Sequence, residues 1–143
     1  MWVVVHVYVG LAIAALLEEP VWLVAALALG SHVPLDLIPH WDYTVSRRPI
    51  LWGWVDFLAG LATLLVCVVA LRMPFWMVCM GPLSGAPDVD VLVAAVRGRE
   101  ARHWFPSHWD SFPHGQCGPL PGVAVQAAVI ALCVAAILAG RPY

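Results

Sequence analysis

The sequence contains no lysine, so all seven of its basic residues are arginine. Charged residues of both signs make up only 11% of the chain, well below the quarter that is usual in soluble domains. The hydrophobic fraction is 62% and the mean hydropathy is +0.86. The formal net charge is −2, so nothing in the composition suggests nucleic-acid binding. These values predict an integral membrane protein.

Two further absences narrow the class of protein. No Cys-x-x-Cys pair occurs, which argues against a redox pair or a zinc ribbon, and three of the four cysteines lie in apolar runs as small hydrophobic residues. The opening "MWVVVHVYVG" lacks a basic region and a small-residue cleavage site. It therefore predicts a retained membrane helix rather than a signal peptide.

Five apolar segments are separated by proline, glycine and charged residues. A spanning helix needs about 20 residues, so the first and last segments are short for that role. We expect an all-α integral membrane protein of about five transmembrane helices, forming a single membrane domain over residues 1–143. The segments are Trp2–Leu17, Val21–Ile38, Leu51–Leu71, Phe75–Val96 and Val123–Leu138.

The arginines predict the orientation of this domain. Most of them lie in the two long loops, the second being a His-rich loop over 97–122 that precedes a last helix over 123–139. The positive-inside rule places both loops and the N-terminus in the cytoplasm and the C-terminus outside, in a multi-pass protein of the inner membrane. The loop arginines are Arg47, Arg48, Arg97, Arg99 and Arg102; Glu18, Glu19, Arg72 and Arg141 fall on the other side.

Tryptophan is concentrated at the same predicted cytoplasmic edge, which holds six of the eight residues. Tryptophan prefers the headgroup level of a bilayer, so this set is most simply an interfacial anchor, with lipid contact as a second role. These residues are Trp2, Trp41, Trp52, Trp54, Trp104 and Trp109.

The chain shows signs of an internal repeat. "HVYVGLA" from His6 matches "DFLAGLA" from Asp56, and "PHWD" from Pro39 matches "PDVD" from Pro87, at nearly equal spacing. The first four helices are therefore predicted to form two pseudo-symmetric hairpins, with copies at about 2–42 and 52–90. An axis along the membrane normal would bring the ionisable residues of both copies to one depth.

The acidic residues at this depth outnumber the cations that can pair with them. Crowded carboxylates near lipid are costly, and a divalent metal offsets that cost. Imidazole and carboxylate ligands fit Zn best here, with Mn or Fe(II) as alternatives, and a duplicated acidic set would suit two ions.

His32, Asp36 and His40 are spaced i, i+4, i+8, and His32 with Asp36 is the expected adjacent pair. The expected metal ligands are His6, His32, Asp36, His40, Asp56, Asp88, Asp90, His103 and His108, whereas Asp110 and His114 are expected at the surface.

Four short motifs together resemble the membrane-bound metal-dependent hydrolases, the family that includes the LexA-binding inner-membrane-associated hydrolase. They are "HVYVG", "SHVPLD", "GPLSGAPDVD" and "HWFPSH". The resemblance implies metal-dependent hydrolysis at His6, at His32 and Asp36, at Asp88 and Asp90, and at His103 and His108. The chain departs from the family in the order of two motifs and in having Trp104 and Trp109 where the family has arginine and serine.

The leading hypothesis is a metal-dependent membrane hydrolase that acts at the cytoplasmic headgroup level on a phosphoester or acyl bond of a lipid-like substrate. Asp42 is the expected general base, and Arg47 or Arg48 the expected phosphate contact. One alternative is a small accessory subunit of a larger membrane complex, or of an oligomer, with His and Asp holding a structural metal, a pigment or haem. The other is an ion or proton carrier, since acid and histidine chains also line pathways.

Overall fold

The computed structural model describes residues 1–97 and 103–140, and within them every regular element is helical. Short 3₁₀ turns lie at Tyr43–Val45, Ala86–Asp88 and Pro106–His108. Arg99, Arg102 and Arg141, which contribute to the predicted orientation, lie outside these residues. The helices are α1 Val3–Leu16, α2 Val21–Gly30, α3 His32–Leu37, α4 Pro49–Val69, α5 Phe75–Gly85, α6 Val89–Arg97 and α7 Pro119–Ala139.

The helices follow the five apolar segments of the sequence. Only Ser31 separates α2 from α3, and only the 3₁₀ turn 86–88 separates α5 from α6, so each pair corresponds to one predicted segment. Proline opens α4 and α7 at their first turns, where a missing N–H costs nothing. The predicted all-helical fold is confirmed for the described residues.

Two helices are long and apolar enough to cross a membrane. α4 and α7 each have 21 residues, which gives about 31 Å of helix, close to the thickness of a bilayer core. Both expose most of their apolar side chains. α1 and the combined α2–α3 segment are apolar but shorter. Membrane insertion is thus supported by length and composition, and the five-span topology stays a prediction.

α1 lies at the centre of the helical bundle. It packs most extensively against α5 and α7, and also contacts α2 and α4. It is apolar on all sides, as expected for a helix surrounded by others. Leu11 is fully buried in a core cluster that includes the thiols of Cys67 and Cys133. A central α1 carries His6 into the interior of the protein.

Small residues allow α1 and α5 to approach closely. A side chain at Gly10 would collide with the backbone carbonyl of Met80, and one at Gly81 or Gly85 would press on α1. Glycines spaced four apart serve this purpose in membrane helices. By contrast, a side chain at Gly60, the counterpart of Gly10 in the predicted repeat, would meet nothing within 4 Å among the residues that the structure describes. The two glycines of the sequence repeat therefore have different environments.

Candidate metal centre

Nine histidine and aspartate side chains meet at the end of the bundle where α1 begins and α3 ends. They form four overlapping groups of three, and the potential ligand atoms within each group lie within 4.8 Å of one another. These groups can hold a metal ion. The groups are His6, His32 and Asp36; His32, Asp88 and His108; Asp36, His40 and His114; and Asp90, His103 and His108.

Hydrogen bonds fix the tautomers of two histidines in the cluster. His32 donates its Nδ1–H to the carbonyl of Ser84 at 2.9 Å, because a carbonyl can only accept. His108 donates its Nδ1–H to the Asp90 carboxylate at 2.5 Å. In the neutral imidazoles, both Nε2 atoms therefore carry lone pairs. Metal-binding histidines are typically oriented in this way through their other ring nitrogen.

The two Nε2 atoms each lie within 3.7 Å of a carboxylate oxygen of Asp36 and of one of Asp88. His32 Nε2 lies 3.3 Å from His108 Nε2 and 3.3 Å from Asp36 Oδ2. Asp88 Oδ1 lies 3.6 Å from His32 Nε2 and 3.5 Å from His108 Nε2. Asp36 Oδ2 lies 3.7 Å from His108 Nε2. We refer to these four residues as the four-donor site.

These separations fit a small divalent cation. A tetrahedral ion with bonds of about 2.1 Å, typical of Zn²⁺ with histidine and carboxylate ligands, holds its donor atoms about 3.4 Å apart. Four electron-rich atoms at this spacing repel one another unless a cation or a proton lies among them. The donor set and its spacing thus suit a metal ion.

The electrostatics of His108 reflect the same crowding. Burial disfavours its charged form, but the hydrogen bonds and charges of Asp88 and Asp90 outweigh burial and raise the pKa of His108 above its ordinary value. A proton on this imidazole and a cation at the four-donor site would relieve the same negative charge. The two are therefore expected to compete.

Asp90 and His103 surround His108 on its outer side. Asp90 Oδ2 accepts hydrogen bonds from the backbone N–H groups of Trp104 and Phe105 at 2.9 and 2.8 Å. Its Oδ1 accepts from His108 and lies 3.5 Å from His103 Nδ1. Asp90 is thus placed to orient His108, and the side chain of His103 is 31% exposed at the edge of the cluster.

Backbone hydrogen bonds bring the loop after α6 to the site. Gly115 donates to the carbonyl of Asp36, and its own carbonyl accepts from His40; Cys117 then donates to the carbonyl of His40. The buried hydroxyl of Ser107 donates to Asp36 Oδ2 at 2.8 Å. These contacts position His108 beside α3, although it is far from His32 in sequence.

His40 and His114 form a third group together with Asp36. His40 is fully buried and donates Nδ1–H to the carbonyl of Ile38, and its Nε2 has no hydrogen-bond partner in the described part of the chain. His114, expected at the surface, is half-buried and belongs to the same group as Asp36. The loop contacts that bring it there are long-range, so no local pattern could have revealed this position.

Asp56 has a different role from the expected one. Its two carboxylate oxygens accept the backbone N–H groups of Val3 and Val4, both at 2.8 Å, and the hydroxyl of Tyr43 at 3.2 Å. It therefore caps the N-terminus of α1, where free N–H groups and the helix dipole favour a carboxylate. Asp56 belongs to none of the four groups, unlike its proposed repeat partner His6.

The three residues expected to act in catalysis lie near the surface. Asp42 accepts the N–H of Thr44 at 2.8 Å and caps the 3₁₀ turn 43–45. Arg47 and Arg48 are exposed just before α4. None of the three belongs to the four groups of ligand atoms.

Comparison with known proteins finds no family model, no curated protein and no solved structure that the chain matches. The resemblance to membrane-bound metal-dependent hydrolases therefore stays a prediction.

Proposed function

We propose that this protein is a metal-dependent hydrolase of the membrane, with zinc, or alternatively manganese or iron(II), at the four-donor site. The proposal is carried by one observation: the Nε2 atoms of His32 and His108 lie 3.3 Å apart, and each lies 3.3–3.7 Å from a carboxylate oxygen of Asp36 and of Asp88, the spacing of donor atoms around a coordinated cation. The motif resemblance to metal-dependent hydrolases agrees with it.

The residues of the site have separate roles in this proposal. When bound, a divalent ion supplies Lewis acidity and lowers the pKa of a water molecule. His32, His108 and Asp36 are held by hydrogen bonds, whereas the Asp88 side chain is 15% exposed and marks the side open to substrate. His40, with a free Nε2 in the group with Asp36, is better placed than Asp42 to accept a proton.

The surroundings of the site suit a lipid-like substrate with a phosphoester or acyl bond. The rings of Trp2, Trp41, Trp52 and Tyr43 pack together at the same end of the bundle. Such aromatic groups favour the headgroup level of a bilayer. In this proposal, exposed Arg47 and Arg48 contact an anionic headgroup.

The test is hydrolysis by the full chain, purified in detergent and supplied with Zn²⁺ or Mn²⁺. Three p-nitrophenyl probes, a phosphomonoester, a phosphodiester and an acyl ester, sample the proposed bond classes. Turnover of one probe should fall at least 100-fold in Asp88→Asn and stay unchanged in Asp110→Asn, a matched variant in the exposed loop. No turnover of any probe above the Asp88→Asn level, with metal bound, would overturn the proposal.

A structural metal in a membrane subunit is the second candidate. Four protein donors are typical of structural sites, whereas catalytic sites keep a position open for water or substrate. Under this alternative, the ion is retained, Asp88→Asn lowers thermal stability, and no probe is hydrolysed. Hydrolysis that depends on Asp88 would exclude it.

A further inference from the structure

Asp36 and Asp88 each face three histidines, His6, His32 and His108, with their two oxygens. Asp36 Oδ2 and Asp88 Oδ1 belong to the four-donor site beside His32. The remaining oxygens face His6: its Nε2 lies 3.6 Å from Asp36 Oδ1 and 4.0 Å from Asp88 Oδ2. Each carboxylate is therefore placed to bridge two positions.

The histidine rings define the same two positions. His6 and His32 stack with a centroid separation of 3.8 Å and an interplanar angle of 15°. Their Nε2 atoms face the same pair of carboxylates, so ions held by the two rings would lie about one stacking distance apart. Two-metal sites have ions about 3.5–4 Å apart.

The His6 ring nitrogens and the Asp88 oxygen that faces them lack hydrogen-bond partners within the described residues. His6 is fully buried, and neither of its ring nitrogens has a hydrogen bond within the described residues. Asp88 Oδ2 is likewise buried without a hydrogen-bond donor among those residues. Buried polar groups are normally paired, so an orphaned imidazole that faces an orphaned carboxylate oxygen indicates a missing cation. On the Asp36 side, Oδ1 accepts the α-amino group of Met1 at 2.9 Å.

We propose that the centre holds two divalent ions, bridged by Asp36 and Asp88, with His6 as the ligand that is specific to the second ion. This inference rests on the metal centre of the proposed function but not on hydrolysis. Two cations would offset the negative charge of the two carboxylates more fully than one cation would.

The experiment measures the number of metal ions bound per chain and does not depend on catalytic activity. The full chain in detergent, stripped with chelator, is titrated with Mn²⁺, and bound metal is measured after removal of free ion. We expect two equivalents for the unaltered chain and one for His6→Ala. Mn²⁺ electron paramagnetic resonance should show a coupled pair in the former and an isolated ion in the latter.

Two control variants separate this position from its neighbours. His103→Ala and His40→Ala alter the other two groups of ligand atoms and should keep both equivalents. His6→Gln, checked by circular dichroism and size exclusion, repeats the test if His6→Ala does not fold. One equivalent in the unaltered chain, or a second equivalent that survives loss of His6, would overturn the inference.

The outcomes also distinguish this inference from the proposed function. Two coupled ions without hydrolysis of any probe would retain the two-ion centre and reject the hydrolase. Hydrolysis with one bound ion would retain the hydrolase and reject the two-ion centre.

Discussion

Asp90 illustrates how one residue type serves two roles in the same short motif. Of the two aspartates in "PDVD", Asp88 supplies an oxygen to the four-donor site, whereas Asp90 accepts hydrogen bonds from His108 and from two backbone N–H groups. The sequence predicted both aspartates as ligands, because the spacing of residues in a motif does not show which partners their carboxylate oxygens meet. Orienting partners of this kind influence metal affinity through the ligand they hold.

We expect Asp90→Asn to weaken metal binding by about 10–100-fold without abolishing it, because His108 loses its charged acceptor but keeps its Nε2. Competition with a chelator of known affinity measures the change. His108→Ala, which removes the donor atom itself, should be more severe. Equal losses in both variants would show that Asp90 is itself a ligand.

Asp56 was predicted as a metal ligand, but its carboxylate accepts hydrogen bonds from the first turn of α1. We expect Asp56→Ala to lower stability by about 1–3 kcal/mol, because a buried and a part-buried N–H group at the start of α1 lose their acceptor. Metal stoichiometry of the folded protein should not change. Thermal unfolding measures the change in stability, and elemental analysis measures the bound metal. Loss of an ion with unchanged stability would show that Asp56 is a metal ligand.

At the scale of helices, the site depends on the close contact of α1 with α5. α1 carries His6, and the end of α5 leads directly to Asp88, so their separation sets the distance between these side chains. Gly10 and the glycines of α5 make that approach possible. The sequence motif His-x3-Gly therefore has a packing explanation: the glycine lets the histidine of the preceding turn reach its partners.

Gly10→Ala should lower stability by about 1–3 kcal/mol, because its Cβ meets the backbone of Met80 and an overpacked interface must shift. Gly60→Ala is the matched control: its Cβ meets no described residue within 4 Å, and alanine favours a helix by about 1 kcal/mol. Thermal unfolding in detergent compares the two. Equal effects would argue against the close α1–α5 contact.

At the scale of the whole molecule, polarity is segregated to one end of an apolar bundle. The candidate metal centre and the aromatic group of Trp2, Trp41, Tyr43 and Trp52 share that end, and the acidic turn at Glu18 and Glu19 joins α1 to α2 at the other. α4 and α7 present apolar side chains outward along their length. This distribution suits a protein whose site lies at a membrane surface.

Labelling of single cysteines tests the predicted orientation. In a background without native cysteines, Glu18→Cys should react with an impermeant maleimide in intact cells, and Thr44→Cys only after permeabilisation; both positions are exposed. The reverse pattern would invert the orientation. Release of the protein from membranes by alkaline carbonate would reject membrane insertion altogether.

Part of the site was predictable because it is local. His32 and Asp36 are one helical turn apart, and the structure places His32 Nε2 3.3 Å from Asp36 Oδ2. The roles of His114 and Asp56 were not predictable, because each depends on contacts between segments distant in sequence. The repeat pattern favoured Asp56 as a ligand, but a sequence match carries no information about which neighbour a side chain meets.

The sequence by itself determined the helices, since runs of apolar residues bounded by proline and charge require little beyond local preference and burial. It also determined which residue types are available for chemistry. Only the tertiary structure decided which of these side chains lie together. Helix packing sets the distances from His6 to Asp36 and Asp88, and the loop that pairs with residues 36–40 places His108 beside them. The physical reason is that coordination requires several donor atoms to fit within a few ångströms, and that fit is a property of packed helices and loops rather than of any single segment.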